Sequence, residues 1–100
     1  MAVTSKTLAR TAAATSSATL YTVPSSTTTV VTNIVVVNSA GTAGTFTVTL
    51  DGVDLFKTVA IAANTTISVD LKQVLATTKI IAGFASATTI SFHISGVEIS

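Results

Sequence analysis

Hydrophobic and polar residues alternate along most of this chain, with the two-residue period of a β-strand that buries one face. The segment "TFTVTLD" (45–51) shows the pattern clearly, because its phenylalanine, valine and leucine alternate with threonine. Turn signals separate such segments, among them Pro24, the glycine-bearing "SAGTAG" (39–44) and the dipeptide Asp51-Gly52. The pattern therefore predicts many short strands joined by tight turns.

We predict an all-β fold, a single antiparallel β-sandwich or jelly-roll-like domain of about 7–8 strands over residues 18–100. Residues 1–17 have no sustained apolar period, and we predict an extended N-terminal arm there. The segment "KQVLATT" (72–78) fits a short helical turn or an irregular crossing. The predicted strands are 19–23, 27–38, 45–51, 53–61, 66–71, 79–87 and 88–99.

The longest predicted strand, "TTTVVTNIVVVN" (27–38), is apolar on both faces in its second half. Ile34 and Val36 share one face, and Val35 and Val37 share the other. A strand of this kind is normally covered on both sides, so we expect a neighbouring subunit to cover the outer side.

The last strand, "ISFHISGVEI", changes the phase of its alternation. Apolar residues occupy one face up to Ile94, whereas Val97 and Ile99 fall on the opposite face by simple alternation. One inserted residue restores the phase, and glycine tolerates the backbone of a bulge. We therefore predict a β-bulge or a sharp bend near Ser95-Gly96. If the alternation is unbroken instead, Val97 and Ile99 must pack against another chain.

The expected core is small for a domain without cross-links. No cysteine is present to form a disulfide, and a domain of about 80 residues is then close to marginal stability. We therefore expect a homo-oligomer, with a trimer as the first expectation. The predicted core residues are Leu20, Val31, Ile34, Val36, Phe46, Val48, Leu50, Ile67, Val69, Leu71, Ile80, Ile90, Phe92 and Ile94.

Composition argues against several classes of function. A net charge of +1 gives no field to attract nucleic acid, and no aromatic residues interleave with a basic patch. The longest aliphatic run, residues 34–37, is far shorter than the roughly 20 apolar residues of a membrane span. The acid-free start of the chain, with Lys6 and Arg10, faintly resembles a transit peptide, but a structural arm is the better interpretation.

Candidate chemistry is sparse. His93 is the one histidine, and any metal site would need carboxylates around it, none of which lies within two residues on the same face. "DGVD" (51–54) offers two carboxylates to calcium, but a hairpin turn is the simpler interpretation. "NTT" (64–66) is a glycosylation sequon that has meaning only in a secreted eukaryotic chain. We predict no catalytic residue, no metal site, no cofactor and no enzymatic activity.

The order of elements resembles small virion structural proteins of tailed bacteriophages. The residues that carry the resemblance are "TLYTVP", "TTTVVTNIVVVN", "TFTVTLDG", "ANTTISVDLKQVL" and "ISFHISGVEI", which together span roughly residues 19–100. Relatives of this type are head decoration (cement) proteins, minor tail proteins or head-fibre components. In place of the Gly-Asp loop that the family has before its penultimate strand, this chain has residues 77–79, "TTK".

The resemblance implies a β-sandwich that is made in the bacterial cytoplasm and binds a capsid or tail surface in many copies, often as trimers. The expected partners are the major capsid protein or other virion subunits, without nucleic acid or membrane. Within the predicted arm, Lys6, Leu8 and Arg10 are the candidate contact residues. The alternative is a minor tail or fibre-associated protein that binds a host receptor or a glycan.

Overall fold

The computed structural model describes residues 3–100, which form eight β-strands and no helix. Every strand pairing among them is antiparallel. The all-β prediction is therefore confirmed. The strands are β1 (Val3–Ala12), β2 (Ala18–Thr22), β3 (Thr28–Asn38), β4 (Gly44–Leu50), β5 (Val53–Ile61), β6 (Thr65–Leu75), β7 (Ile80–Ala85) and β8 (Ile90–Ile99).

The strands form two sheets of four. Sheet A has the order β1-β8-β3-β6, and sheet B has the order β2-β7-β4-β5. Only β4 and β5 are neighbours both in sequence and in space, so every other connection crosses from one sheet to the other. The two sheets bury their facing sides in one core, as in a β-sandwich. The ambiguous segment 72–78 continues β6 as far as Leu75.

The hairpin between β4 and β5 follows from its two turn residues. Leu50 pairs with Val53, which leaves Asp51 and Gly52 as a two-residue loop. Both have positive φ, 54° and 75°, the conformation that a type I′ turn requires and that aspartate-glycine tolerates best. The prediction of a tight turn at this dipeptide is confirmed.

The first strand differs from the sequence-based expectation. Residues 1–17 were expected to form an arm without secondary structure, but Val3–Ala12 pairs with β8 at the edge of sheet A. Leu8, Ala9 and Ala13 are buried in the core, although threonines, Lys6 and Arg10 around them interrupt any apolar pattern. β1 thus pairs with β8 and buries Leu8 and Ala9, although its periodicity is weak. Met1 and Ala2 of the predicted arm lie outside the described residues.

A line of register shifts crosses sheet A next to Ser95 and Gly96. The extra residue in β1 is Leu8, and the extra residue in β3 is Thr32. In β6 the shift falls at Leu71 and Lys72. The expected bulge therefore lies on the neighbours of β8, whereas β8 itself alternates without a break from Ile90 to Gly96. We call this feature the bulge line.

Gly96 lies on the bulge line because no side chain fits there. A Cβ atom at this position would overlap the carbonyl oxygen of Val30 and would lie 2.9 Å from Leu8 Cδ1. The glycine thus permits a close approach of backbones, which differs from the conformational role that the sequence suggested. The extra residues of the bulge line lie in the neighbouring strands β1 and β3 instead.

Nine of the fourteen predicted core residues are buried, and the remaining five are half-buried. The half-buried ones lie on β2, β6 and β7, where Ile81 rather than Ile80 faces the core. Phe46 and Phe92 meet edge to face across the two sheets, with ring centroids 6.2 Å apart. Buried residues that the prediction did not include are Leu8, Ala9, Ala13, Val23, Ile61, Leu75, Ala82 and Ala85, besides Ile81.

One buried polar side chain organises the loops at one end of the sandwich. Asn38 is 2% exposed, and its Nδ2 donates to the carbonyl oxygens of Thr42 at 2.9 Å and Ala62 at 3.2 Å. Its Oδ1 accepts a hydrogen bond from the backbone N–H of Ala40 at 3.1 Å. The amide thereby ties the β3–β4 loop to the β5–β6 turn, and its own polar atoms are satisfied.

Candidate interaction surface

The three predicted contact residues of β1 lie in three different environments. Leu8 is 7% exposed and packs over Gly96, so its side chain belongs to the core. Lys6 is partly exposed, and its Nζ lies 3.3 Å from Glu98 Oε2. Arg10 is exposed and stands opposite His93 in the register of β1 and β8. Of the three, Arg10 is the one that is both exposed and free of an ion pair within residues 3–100.

Glu98 is the centre of a polar cluster that joins the two sheets. Besides its contact with Lys6, its carboxylate accepts a hydrogen bond from the hydroxyl of Tyr21 on β2. The Tyr21 hydroxyl also lies 2.9 Å from Thr29 Oγ1 on β3. Four strands therefore meet at this cluster, at the end of the sandwich where β8 finishes.

The cluster changes the acidity of two of its members. The hydrogen bond from Tyr21 and the charge of Lys6 lower the pKa of Glu98 below its ordinary value, although partial desolvation acts the other way. Burial and the hydrogen bond to Glu98 raise the pKa of Tyr21 above 10.0. At neutral pH the pair is a carboxylate with a neutral phenol, which holds the sheets together and offers no acid–base couple near pH 7.

The outer face of sheet A is a regular surface. In β8, the residues between the buried ones point outwards, namely Ser91, His93, Ser95, Val97 and Ile99. Two shallow grooves cross this face along the bulge line and meet at Thr32. The first groove is lined mainly by hydroxyl-bearing residues and Lys6, and the second by Asp70, Leu71 and Lys72. Both grooves lie open along the face and are not enclosed, so the surface is accessible to another macromolecule.

His93 lies on this outer face, half-buried between the serines of β8 and opposite Arg10 and Val35. Within residues 3–100, no group of three or more histidine, aspartate or glutamate side chains converges to hold a metal ion. His93 is therefore a residue of this outer face and not a member of a metal-binding group within residues 3–100.

The other candidate residues lie apart from one another. Asp51 contacts Lys79 at 3.6 Å, and Asp54 contacts Lys57 at 3.9 Å, so the two carboxylates of "DGVD" do not converge. Asn64 is exposed in the β5–β6 turn with a φ of 51°, a conformation that asparagine tolerates well. No helix in the described part of the chain is capable of crossing a membrane.

Sequence reasoning missed the Tyr21–Glu98 cluster because its members are far apart in the chain. Tyr21 and Glu98 are separated by 77 positions and lie on different sheets. The one available signal was an unusual position for an acid, since Glu98 interrupts the apolar end of β8. A lone charge between Val97 and Ile99 suggests a partner but does not identify it.

Comparisons with known proteins lead to solved structures rather than to a family. No family model matches the chain, and no curated protein matches it. Among solved structures, the chain is similar to a pentameric capsid protein isolated from metagenomic phage sequences, at 14% sequence identity and a TM-score of 0.40. The match covers 92% of this chain and 59% of that protein, so this chain spans less than two thirds of its length. A likeness at this level identifies neither the fold subtype nor a function of this chain.

Proposed function

We propose that this chain is a non-enzymatic structural protein of a bacteriophage virion, and that it decorates the head in many copies. The observation that carries the proposal is the strand order, β1-β8-β3-β6 facing β2-β7-β4-β5. We infer from this order that the sandwich is a jelly roll, an architecture that recurs in viral capsid domains. The resemblance of the strand and turn pattern to phage virion proteins supports the same conclusion.

The surface supports a structural role. Only 9% of the residues are charged, and the outer face of sheet A is covered by hydroxyl-bearing and aliphatic side chains. Such a surface loses little favourable solvation when it packs against another protein. Edge strand β1 adds a second mode of contact, because it pairs with β8 alone and leaves its other edge free for an added strand. Arg10 on the same strand provides a positive charge for an acidic neighbour.

A receptor- or glycan-binding role is the alternative, since jelly rolls also occur in lectins. Sugar-binding surfaces usually present aromatic rings. Here Phe46 and Phe92 are buried, Phe56 packs edge to face on Phe46, Phe84 is half-buried, and Tyr21 is engaged with Glu98. The available surface therefore favours decoration over glycan binding. The expected trimer and the expected partner, the major capsid protein, stay predictions.

Location and copy number in the virion test the proposal. We expect hundreds of copies per particle, measured by quantitative mass spectrometry of purified virions, and density for the sandwich on the head in a cryo-EM map. A few copies at the tail would replace decoration by the tail-associated role. Absence of the chain from purified virions would overturn both.

Deletion of residues 1–17 is a poor test of particle binding. It removes Leu8, Ala9 and Ala13 from the core and exposes the edge of β8, so loss of binding would not be separable from loss of folding. Substitutions of exposed residues on β1, Arg10 among them, avoid this difficulty.

A further inference from the structure

Five aliphatic residues form one continuous apolar area at one end of the outer face of sheet A. Val30 pairs with Val97 on one side and with Val74 on the other, so the three form a row across the sheet. Val3 pairs with Ile99 in the next row. We call Val3, Val30, Val74, Val97 and Ile99 the valine patch.

Two of the five residues of the valine patch, Val3 and Val74, are strongly exposed, and Val30, Val97 and Ile99 are half-buried. Val3 and Val74 are 67% and 68% exposed, and among the large hydrophobic residues in the described part of the chain only Val53 is comparably exposed. The patch exists because β8 keeps its alternation beyond Gly96, which turns Val97 and Ile99 away from the core. Contiguous exposed aliphatic residues of this kind mark protein–protein contacts.

The size of the face matches a small but specific interface. Four strands spaced about 4.8 Å apart and roughly ten residues long present on the order of 600 Å². Two such faces in contact would bury about 1,200 Å² in total, the lower end of the range for stable complexes. The outer face of a single sheet A is therefore enough to hold a second copy.

The face is self-complementary about a two-fold axis that runs parallel to the strands, between β8 and β3. Such an axis keeps each row opposite the same row of the second copy but exchanges the two sides of the sheet. Val97 then faces Val30 of the second copy, and Val30 faces Val97, next to the axis. Edge strand β1 lies over β6 of the second copy.

Charge supports the same arrangement. Arg10 lies on the outer face of β1, and Asp70 lies on the outer face of β6, where it accepts a hydrogen bond of 3.0 Å from Asn33. Their rows are adjacent, about 6.6 Å apart along the strands. The two-fold axis brings each Arg10 within side-chain reach of Asp70 of the second copy, so one ion pair forms at each side of the contact. Neither residue has an ion-pair partner of its own within residues 3–100.

We propose that the outer face of sheet A binds a second copy of this chain, through the valine patch at one end of the face and reciprocal Arg10–Asp70 pairs at the sides. The contact concerns the purified chain alone and is tested without the virion, although it uses the same face of sheet A and the same Arg10 as the proposed virion role. It gives a two-fold dimer, and thus differs from the trimer that the sequence suggested.

Sedimentation equilibrium of the purified full chain tests the proposal. We expect a dimer with a dissociation constant of about 1–100 µM, as an interface of this size allows. Val74→Lys should weaken the dimer about 100-fold or more, because it places a charge in each copy's apolar contact. The matched control is Val53→Lys, since Val53 is also 68% exposed but lies on sheet B. It should leave the dissociation constant within about twofold.

A charge exchange tests the orientation of the two copies. Arg10→Asp or Asp70→Arg alone should each weaken the dimer, by about tenfold, and the double variant should recover most of the loss. A monomer at millimolar concentration, a trimer, or equal effects of Val74→Lys and Val53→Lys would overturn the proposed contact. Failure of the double variant to recover would overturn the two-fold arrangement. Circular dichroism of each variant ensures that a folded chain is compared.

Discussion

Replacing Gly96 by alanine tests whether the bulge line depends on close contact between backbones. The added Cβ would overlap the carbonyl oxygen of Val30 on β3 and lie 3.2 Å from its carbonyl carbon. On the other side it would lie 2.9 Å from Leu8 Cδ1. Leu8 can adjust its side chain, but the Val30 carbonyl belongs to a paired central strand and can move only with that strand.

The expected loss of stability follows from two opposing effects. Alanine in a strand is ordinarily favoured over glycine by about 0.5–1 kcal/mol, because it loses less conformational entropy. Overpacking in a filled core costs about 1–3 kcal/mol, and the upper end applies where backbone has to shift. We therefore expect Gly96→Ala to lower the free energy of unfolding by about 2–2.5 kcal/mol. For a domain of this length, that corresponds to a fall in Tm of roughly 8–20 °C.

Urea and thermal unfolding followed by circular dichroism measure this loss, at one low protein concentration for all variants. The control is Gly41→Ala, since a Cβ at Gly41 meets nothing within 4 Å. It should change the free energy of unfolding by less than about 1 kcal/mol. Adding Leu8→Ala to Gly96→Ala should not restore stability, because the Val30 carbonyl still blocks the Cβ. A stable Gly96→Ala variant, or rescue by Leu8→Ala, would refute the backbone explanation.

Three further predictions concern the core and the polar clusters. Asn38→Ala leaves part-buried carbonyls without donors, and it should lower the free energy of unfolding by about 2–3 kcal/mol in urea. A loss below about 0.5 kcal/mol would show that water replaces the amide. Because the pKa of Glu98 is lowered and that of Tyr21 is raised, stability should fall as pH drops through the folded pKa of Glu98 below 4.5, and as pH rises through that of Tyr21 above 10.0. Unfolding midpoints across pH should show a flatter acid limb for Glu98→Gln and a flatter alkaline limb for Tyr21→Phe; unchanged limbs would exclude the cluster as their cause. Leu8→Ala should lower the free energy of unfolding by about 2–3 kcal/mol and increase proteolysis between β1 and β2. Arg10→Ala, at an exposed position, should lower it by less than about 0.5 kcal/mol. Equal, small effects of the two variants would mean that β1 contributes little to the fold.

The position of most strands could be predicted from the sequence because their periodicity is local. Segments 53–61 and 45–51 differ from the observed strands by at most one residue at either end, and the Asp51-Gly52 turn has the backbone that its residues prefer. In these places the alternation and the turn residues locate the strands, although Thr47 between Phe46 and Val48 is buried as well. The buried residues of β3, β4 and β8 were accordingly predicted well.

The phase of β3 shows a signal that was present but not used. Val31 and Ile34 were both predicted to face the core, and two residues an odd number of positions apart cannot do so in a regular strand. The extra residue, Thr32, resolves this conflict. The predicted core thus already implied a bulge in β3, whereas the bulge was predicted in β8 because of Gly96.

The sequence by itself determined the class of fold, most strands of the sandwich and the absence of thiol chemistry, because each depends on residue type and short-range periodicity. Only the tertiary structure decided that Val3–Ala12 is a strand, that Leu8 rather than a partner fills the space over Gly96, and that Tyr21 and Glu98 meet. These features depend on contacts between residues distant in the chain, and no local pattern records them. The outward direction of the Val97 and Ile99 side chains depended on both the sequence and the tertiary structure. The alternation of the sequence allowed two outcomes, and the register of β8 with its neighbours selected one.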